Sequence, residues 1–153
     1  MSALDPFYPI VDGAAWVARL VGAEWVHLGQ GDLDGADIPA IRRAGIKLGV
    51  STHDDAELSR ALALAPDYVA LGPIYPTVLK AMAFAPQGLA RIGEWKRRIG
   101  AIPLIAIGGL DVERGKLCLA AGADVVSVVT DITLNADPEG RTREWVAATR
   151  CAA

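Results

Sequence analysis

Six short runs dominated by Val, Ile, Leu and aromatic residues recur along the chain: FYPIV (7–11), WVHLG (25–29), IKLGV (46–50), YVALG (68–72), PLIAIG (103–108) and VVSVV (125–129). Most are apolar nearly throughout, with no alternation of apolar and polar residues. A strand with that pattern must be covered on both faces, which is the situation in a parallel sheet. Helical patterns fill the intervals. After Asp54, an N-cap residue by type, Leu58, Ala61, Leu62 and Ala65 fall on one helical stripe. Leu89, Ile92, Trp95 and Ile99 do the same in QGLARIGEWKRRI, which leaves Arg91, Lys96 and Arg97 to face outward. DVERGKLCLAAGA and DPEGRTREWVAAT give two further helices, each opened by Asp. Strand and helix alternating without a break is the α/β signature.

The chain has 153 residues, 52% of them hydrophobic and 22% charged, enough to bury one core and too few for two ordinary domains. No linker or low-complexity stretch divides it, so residues 1–153 are expected to form a single domain. A net charge of −3 and a pI near 5.3 give no general attraction to nucleic acid or to anionic lipid. The one basic run, Lys96-Arg97-Arg98, belongs on a solvated helix face. No apolar run approaches the roughly 20 residues of a membrane span, and the first residues lack the pattern of an export signal. A reducing cytoplasm is the expected setting, with Cys118 a small core residue and Cys151 near a frayed terminus.

Polar residues and glycines cluster just past the strands: Asp32, Ser51-Thr52-His53, Gly72-Pro73, Gly108-Gly109 and Thr130. One cluster per strand over five consecutive units is how a parallel β/α barrel builds a site at the C-terminal ends of its strands. An open doubly wound sheet would concentrate them at one switch point, and no strand opens a G-x-G-x-x-G turn. Gly108-Gly109 either lets a phosphate approach backbone N–H groups or simply makes a tight strand-to-helix turn; placed with Thr130 on the last two strands, the pair reads as a phosphate cradle. GPIYPTVLKAMAFAPQGL (72–89) is long for a connection and carries one lysine, Lys80, which is either a point charge for phosphate oxygens or an ordinary exposed side chain. Ser51 and Thr52 are candidate donors to an anion at the strand end; His53 is either an acid-base group or, since no Ser or Cys nucleophile accompanies it, a structural or capping histidine, and His27 reads as a satisfied core residue. Asp32 either ligates Mg²⁺ together with ligand phosphates or caps the next turn.

In order, VHLGQGDLD, GVSTHDDAEL, DYVALGPIYPTVLK, PLIAIGGL and AGADVVSVVTDI resemble thiamine phosphate synthase, a (β/α)8 (TIM) barrel family, from about Glu24 to Thr149, with FYPIVDG resembling that family's first strand. The resemblance implies a cytoplasmic, Mg²⁺-dependent transferase of thiamine biosynthesis. Hydroxymethylpyrimidine leaves its diphosphate as a stabilised cation and is captured by the ring nitrogen of a thiazole phosphate. By motif position, Asp32 would be the metal ligand. Ser51 and Lys80 would hold the pyrimidine diphosphate and act in catalysis, Thr77, Val78 and Leu79 would line the thiazole site, and Gly109, Val129 and Thr130 would grip the thiazole phosphate. The family often has Thr in place of Leu79 and Ser in place of Thr130. The sister thiazole tautomerases typically have S-V-H where this chain has STH, and G-H-V-F-E-T where it has GPIYPT, so they resemble it less.

One departure is large. That family places two further βα units between its first strand and the HLGQ strand, with a Gln-x-Arg-x-Lys stretch for the diphosphate and an Asn-Asp pair for the metal. This chain has neither; its only asparagine is Asn135. Gly22-Ala23 reads as the seam of an internal shortening. The implied fold is therefore a barrel of about six βα units, truncated or incompletely closed, with unpaired strand edges through which copies would associate. The implied function is thiamine phosphate synthesis weakened by the missing segment, the other readings being an inactive phosphate-ligand-binding remnant and a tautomerase-like protein.

Overall fold

The computed structural model describes residues 22–77 and 84–150. Five parallel strands, β1 (Trp25–Leu28), β2 (Lys47–Thr52), β3 (Tyr68–Leu71), β4 (Leu104–Ile107) and β5 (Val125–Ser127), lie in the order β1-β2-β3-β4-β5. Each pairs with its neighbours in the chain, with no switch point, as in a segment of a β/α barrel. The five match the last five expected runs to within two residues at each end. The expected first strand, 7–11, lies outside the described residues, as do Val78, Leu79, Lys80, Met82 and Cys151.

Pairing register sorts the strand side chains into rows. Val50, Val69 and Leu104 form one row and Thr52, Leu71 and Ala106 the next, both on the face covered by helices. Here Leu71 and Leu104 are fully buried in one cluster with Leu58, Ile92 and Trp95, and Leu48 and Val50 in another with Ile41 and Ala61, each such aliphatic side chain contributing about 1.5–3 kcal/mol by burial. The opposite face carries His27, Gly49 and Tyr68 in one row and Ser51, Ala70, Ile105 and Val125 in the next. Tyr68, Ala70, Ile105 and Val125, with Trp25 beside them, make a separate buried cluster, the layered interior of a barrel wall.

The helices are α1 (Ile38–Arg43), α2 (Asp55–Ala63), α3 (Gly88–Ile99), α4 (Val112–Ala120), α5 (Thr130–Thr133) and α6 (Pro138–Arg150). Asp54 and Asp111 cap α2 and α4 by accepting the N–H of Glu57 and Arg114, and Asp137 accepts the N–H of Gly140 at the start of α6. On α3, Ile92, Trp95 and Ile99 are buried as the stripe predicts, but only Arg97 and Arg98 of its cations are exposed. Arg91 instead lies over Trp95, 4.3 Å from the ring centroid, and Lys96 reaches Asp124 at 2.6 Å. Their long aliphatic stems cover the helix flank while the charged heads find partners.

The lower ends of the strands are tied by aspartates. Asp67, just before β3, accepts the N–H of Leu48 on β2 and pairs with Arg42; Asp124, just before β5, accepts the N–H of Leu104 on β4 and pairs with Lys96. Burial alone would raise the Asp67 carboxyl, but its hydrogen bonds from Leu48 and Arg42 outweigh that and hold it below the usual carboxylate range. Cys118 is buried and has no disulfide partner among the described residues, and burial pushes its thiol up to about 11, as suits a core residue.

Candidate active site

The polar residues at the upper ends of the strands fall into two groups. The first lies across β4 and β5. Thr77, Gly108, Gly109, Ser127, Val129 and Thr130 line one small cleft, bringing together Thr77 from the long loop and both halves of the expected cradle. Gly109 has φ +67°, and a β-carbon there would stand 2.3 Å from the Pro76 carbonyl oxygen; Gly108 has φ +99° and would meet Pro73 at 2.6 Å. The glycines therefore make a tight turn and also admit the 73–77 segment, which extends along β4 through Ile74 N–H to the Ile107 carbonyl and Tyr75 N–H to the Gly108 carbonyl. The turn and cradle readings are thus compatible.

The sequence gives no sign of α5, a single turn that starts at Thr130 and leaves its first N–H groups at the cleft. It is held from behind. Asp131 accepts from Arg141 Nε at 2.7 Å and Nη2 at 3.0 Å and from Trp145 Nε1 at 2.8 Å. Burial by itself would raise the Asp131 carboxyl, but these hydrogen bonds and the adjacent guanidinium hold it below its ordinary value. Trp145 is completely buried, and it fits because position 115 is glycine: a β-carbon there would lie 2.5 Å from the indole. Arg114, also unforeseen, donates to the Gly109 carbonyl at 2.8 Å and lies over the Tyr75 ring, bracing the glycine turn from the first turn of α4.

The second group lies across β1, β2 and β3 and runs from Tyr68 at the start of β3 through His27 up to Ser51 near the end of β2. His27 Nε2 is 2.7 Å from Ser51 Oγ, and His27 Nδ1 is 2.8 Å from Tyr68 Oη. Gln30 Nε2 donates to the Ser51 carbonyl at 2.7 Å, while Gln30 Oε1 is buried and has no hydrogen-bond partner among the described residues. His27 is satisfied, as expected, but by polar side chains facing the barrel interior. Nothing in the periodicity of a single strand shows which residues of neighbouring strands will meet it. His53 is structural: its backbone N–H and Nδ1 both meet Glu57 Oε2, and Phe84 stacks on its ring at 4.4 Å.

Asp32 accepts the Gly29 N–H at 2.8 Å through Oδ2, so it caps its own turn at the upper end of β1, and it is exposed. Among the described residues no group of three or more His, Cys, Asp or Glu side chains is arranged to hold a metal ion. One exposed carboxylate suits Mg²⁺ held chiefly by ligand phosphates and water, and does not suit a protein-caged ion. A surface cleft runs between α4 and α6, among Asp111, Lys116, Arg141 and Glu144, outside the strand ends.

The family model for thiamine monophosphate synthase matches residues 8–132. The chain belongs to the thiamine monophosphate synthase family. A thiamine-phosphate synthase from Rhizobium etli is 48% identical over 195 aligned residues, covering 95% of this chain and 96% of that protein. Because the alignment is longer than the 153 residues of this chain, the relative carries positions that have no counterpart here, as the expected internal shortening requires. A thiamine-phosphate synthase from Cronobacter sakazakii is 51% identical over 118 residues, covering 77% of this chain but 56% of that protein. In fold, the chain is similar to a thiamine phosphate pyrophosphorylase from Pyrococcus furiosus, with TM-score 0.77 and 23% identity, over 91% of this chain and 65% of that one. These relatives make the family one of transferases and do not favour the remnant or tautomerase readings. No helix among the described residues is long and apolar enough to cross a membrane.

Proposed function

We propose that the chain is a thiamine phosphate synthase that couples hydroxymethylpyrimidine diphosphate with hydroxyethylthiazole phosphate, releasing diphosphate. The observation that carries this reading is the cleft in which Thr77, Gly109, Val129 and Thr130 meet at the ends of β4 and β5, where phosphorylated ligands bind in β/α barrels. In this reading Gly109, Val129 and Thr130 hold the thiazole phosphate and Thr77, with Val78 and Leu79, lines the thiazole site. Ser51 and Lys80 hold the pyrimidine diphosphate. Asp32 holds Mg²⁺ jointly with the diphosphate oxygens, the ion supplying charge neutralisation to the leaving group.

The reaction needs no protein nucleophile. Catalysis consists of stabilising the departing diphosphate and keeping the acceptor nitrogen close to the carbon it leaves. The thiazole-phosphate half of the site is the better kept. Removing one group aimed at transition-state charge costs about 3 kcal/mol, so a chain without the Gln-x-Arg-x-Lys stretch and the Asn-Asp pair is expected to turn over far more slowly than an intact relative. We further propose that the chain acts in the cytoplasm as one domain and that copies self-associate along strand edges.

The test is thiamine phosphate formation from the two substrates with Mg²⁺, beside the Rhizobium relative. Product formation that is lost in Lys80→Ala supports the reading. Binding of the thiazole phosphate without product replaces it by a ligand-binding role, and absence of both overturns it.

A further inference from the structure

Ser51, which the proposed function places at the diphosphate, has an organised set of groups behind it. His27, Gly49 and Tyr68 share one row across β1, β2 and β3, and Ser51 is two residues beyond Gly49 on the same face. Gly49 has no side chain to fill its place in the row, and the Tyr68 ring occupies that space; a β-carbon on Gly49 would stand 1.9 Å from Tyr68 Cζ. The phenol crosses β2 in this way and brings Oη to 2.8 Å from His27 Nδ1, with the two rings stacked at 14° and 5.6 Å between centroids. The other ring nitrogen, Nε2, is 2.7 Å from Ser51 Oγ.

A neutral imidazole has one N–H donor and one acceptor nitrogen, so its two contacts must run in the same direction along the chain of hydrogen bonds. If Tyr68 O–H donates to Nδ1, then Nε2–H donates to Ser51 Oγ, and the Ser51 proton is left to donate into the site. In the opposite tautomer Nε2 accepts a hydrogen bond from the Ser51 O–H, and the serine turns only lone pairs outward. The first arrangement suits an anion and the second repels it. A serine next to a histidine is also the start of a nucleophilic relay, but there the third member is a carboxylate that stabilises imidazolium. Here the third member is a phenol, which can donate to Nδ1 or accept from it, and the direction in which it donates is the one that leaves the serine its proton.

We propose that His27, held as the Nε2–H tautomer by the Tyr68 hydroxyl, is a positioning residue that aims the Ser51 Oγ–H at an anionic ligand above β2. This rests on the reading of Ser51 as a diphosphate ligand. No bond is made or broken: the relay sets the orientation of one hydroxyl and so the affinity for the leaving diphosphate.

The full chain has two histidines, His27 and His53, so long-range ¹H–¹⁵N spectra of the ¹⁵N-histidine protein resolve the relevant ring once a His53 variant assigns it. The expected spectrum has His27 Nδ1 unprotonated and Nε2 protonated, and Tyr68→Phe, which keeps the ring over Gly49, mixes the tautomers. Calorimetry with inorganic diphosphate and Mg²⁺ then reads the consequence. Tyr68→Phe and His27→Leu each weaken binding roughly tenfold in the presence of Ser51 and have no further effect when combined with Ser51→Ala, while His27→Gln, which retains a donor, recovers most of the affinity. An Nδ1–H tautomer in the unaltered protein overturns the relay, as do equal effects of Tyr68→Phe with and without Ser51→Ala. Absence of diphosphate binding with the Nε2–H tautomer present overturns the reading of Ser51 on which the relay rests, and is recognisable by that combination.

Discussion

Gly49 and Tyr68 are register partners on β2 and β3, and the phenol ring lies where a side chain of residue 49 would be, 1.9 Å from its absent β-carbon. Gly49→Ala must push a fully buried ring out of a packed interior, and the Tyr68 hydroxyl with it. The expected loss is about 2 kcal/mol or more in urea unfolding. Gly31→Ala, where no described residue lies within 4 Å, is expected to stay within about 0.5 kcal/mol of the parent. Equal stabilities for the two variants would show that the interior gives way freely.

Asp131 ties the short helix at the cleft to α6. Asp131→Asn keeps the shape and removes the charge that Arg141 pairs with, and is expected to cost about 2 kcal/mol at pH 7. The sign of the pH dependence follows from its lowered carboxyl. The folded form binds the proton less readily than the unfolded one, so the stabilisation is complete above the ordinary value of 3.8 and is lost as pH falls through the lower folded value. Unfolding midpoints below about pH 4 should therefore fall less steeply in Asp131→Asn than in the parent. Some slope remains from Asp67, which is lowered in the same sense. Identical acid slopes would refute the assignment.

Asp32→Asn separates two roles that the sequence leaves open. The asparagine carbonyl can still accept the Gly29 N–H, so stability should stay within about 0.5 kcal/mol. If Asp32 also holds Mg²⁺ with the diphosphate, the Mg²⁺ concentration for half-maximal diphosphate binding rises roughly tenfold, and chelation abolishes turnover in the parent. An unchanged Mg²⁺ dependence would leave Asp32 as a turn cap only.

Gly109→Ala puts a β-carbon 2.3 Å from the Pro76 carbonyl at a positive φ, so the turn must open. Thiazole phosphate binding is expected to fall by roughly two orders of magnitude, and by roughly tenfold in Thr130→Ala, which loses one hydrogen-bonding group to a charged ligand. Titration calorimetry checks both, and a Gly109→Ala protein of parental affinity would place the phosphate elsewhere.

Self-association should show in light scattering as a mass above 16.1 kDa that grows with concentration. A monodisperse monomer would mean that the sheet edges are covered.

The strands were legible because a sheet buried on both faces leaves continuous apolar runs, and the helices because aspartate caps and apolar stripes mark Asp55–Ala63, Val112–Ala120 and Pro138–Arg150. α1 escaped because six residues with only Ile41 buried make no stripe, although Asp37 and the proline after it mark its start. α5 is shorter still. The cleft was legible because Gly109 and Thr130 sit at strand ends, where chain order alone places them. The Asp131 clamp and the His27 relay were not, since each depends on which side chains meet across separate elements. Hydropathy assigns Arg91 to water, whereas its stem and guanidinium have an indole to lie on.

Because every described strand pairs only with the strand before it and the strand after it in the chain, the sheet is assembled like a row of links, each register fixed by its immediate neighbours. Loss of whole βα links from such a row changes what stands at one end and leaves the remaining registers as they were. A family built on this plan can therefore vary in length by complete units while the cleft at the far end of the row stays intact.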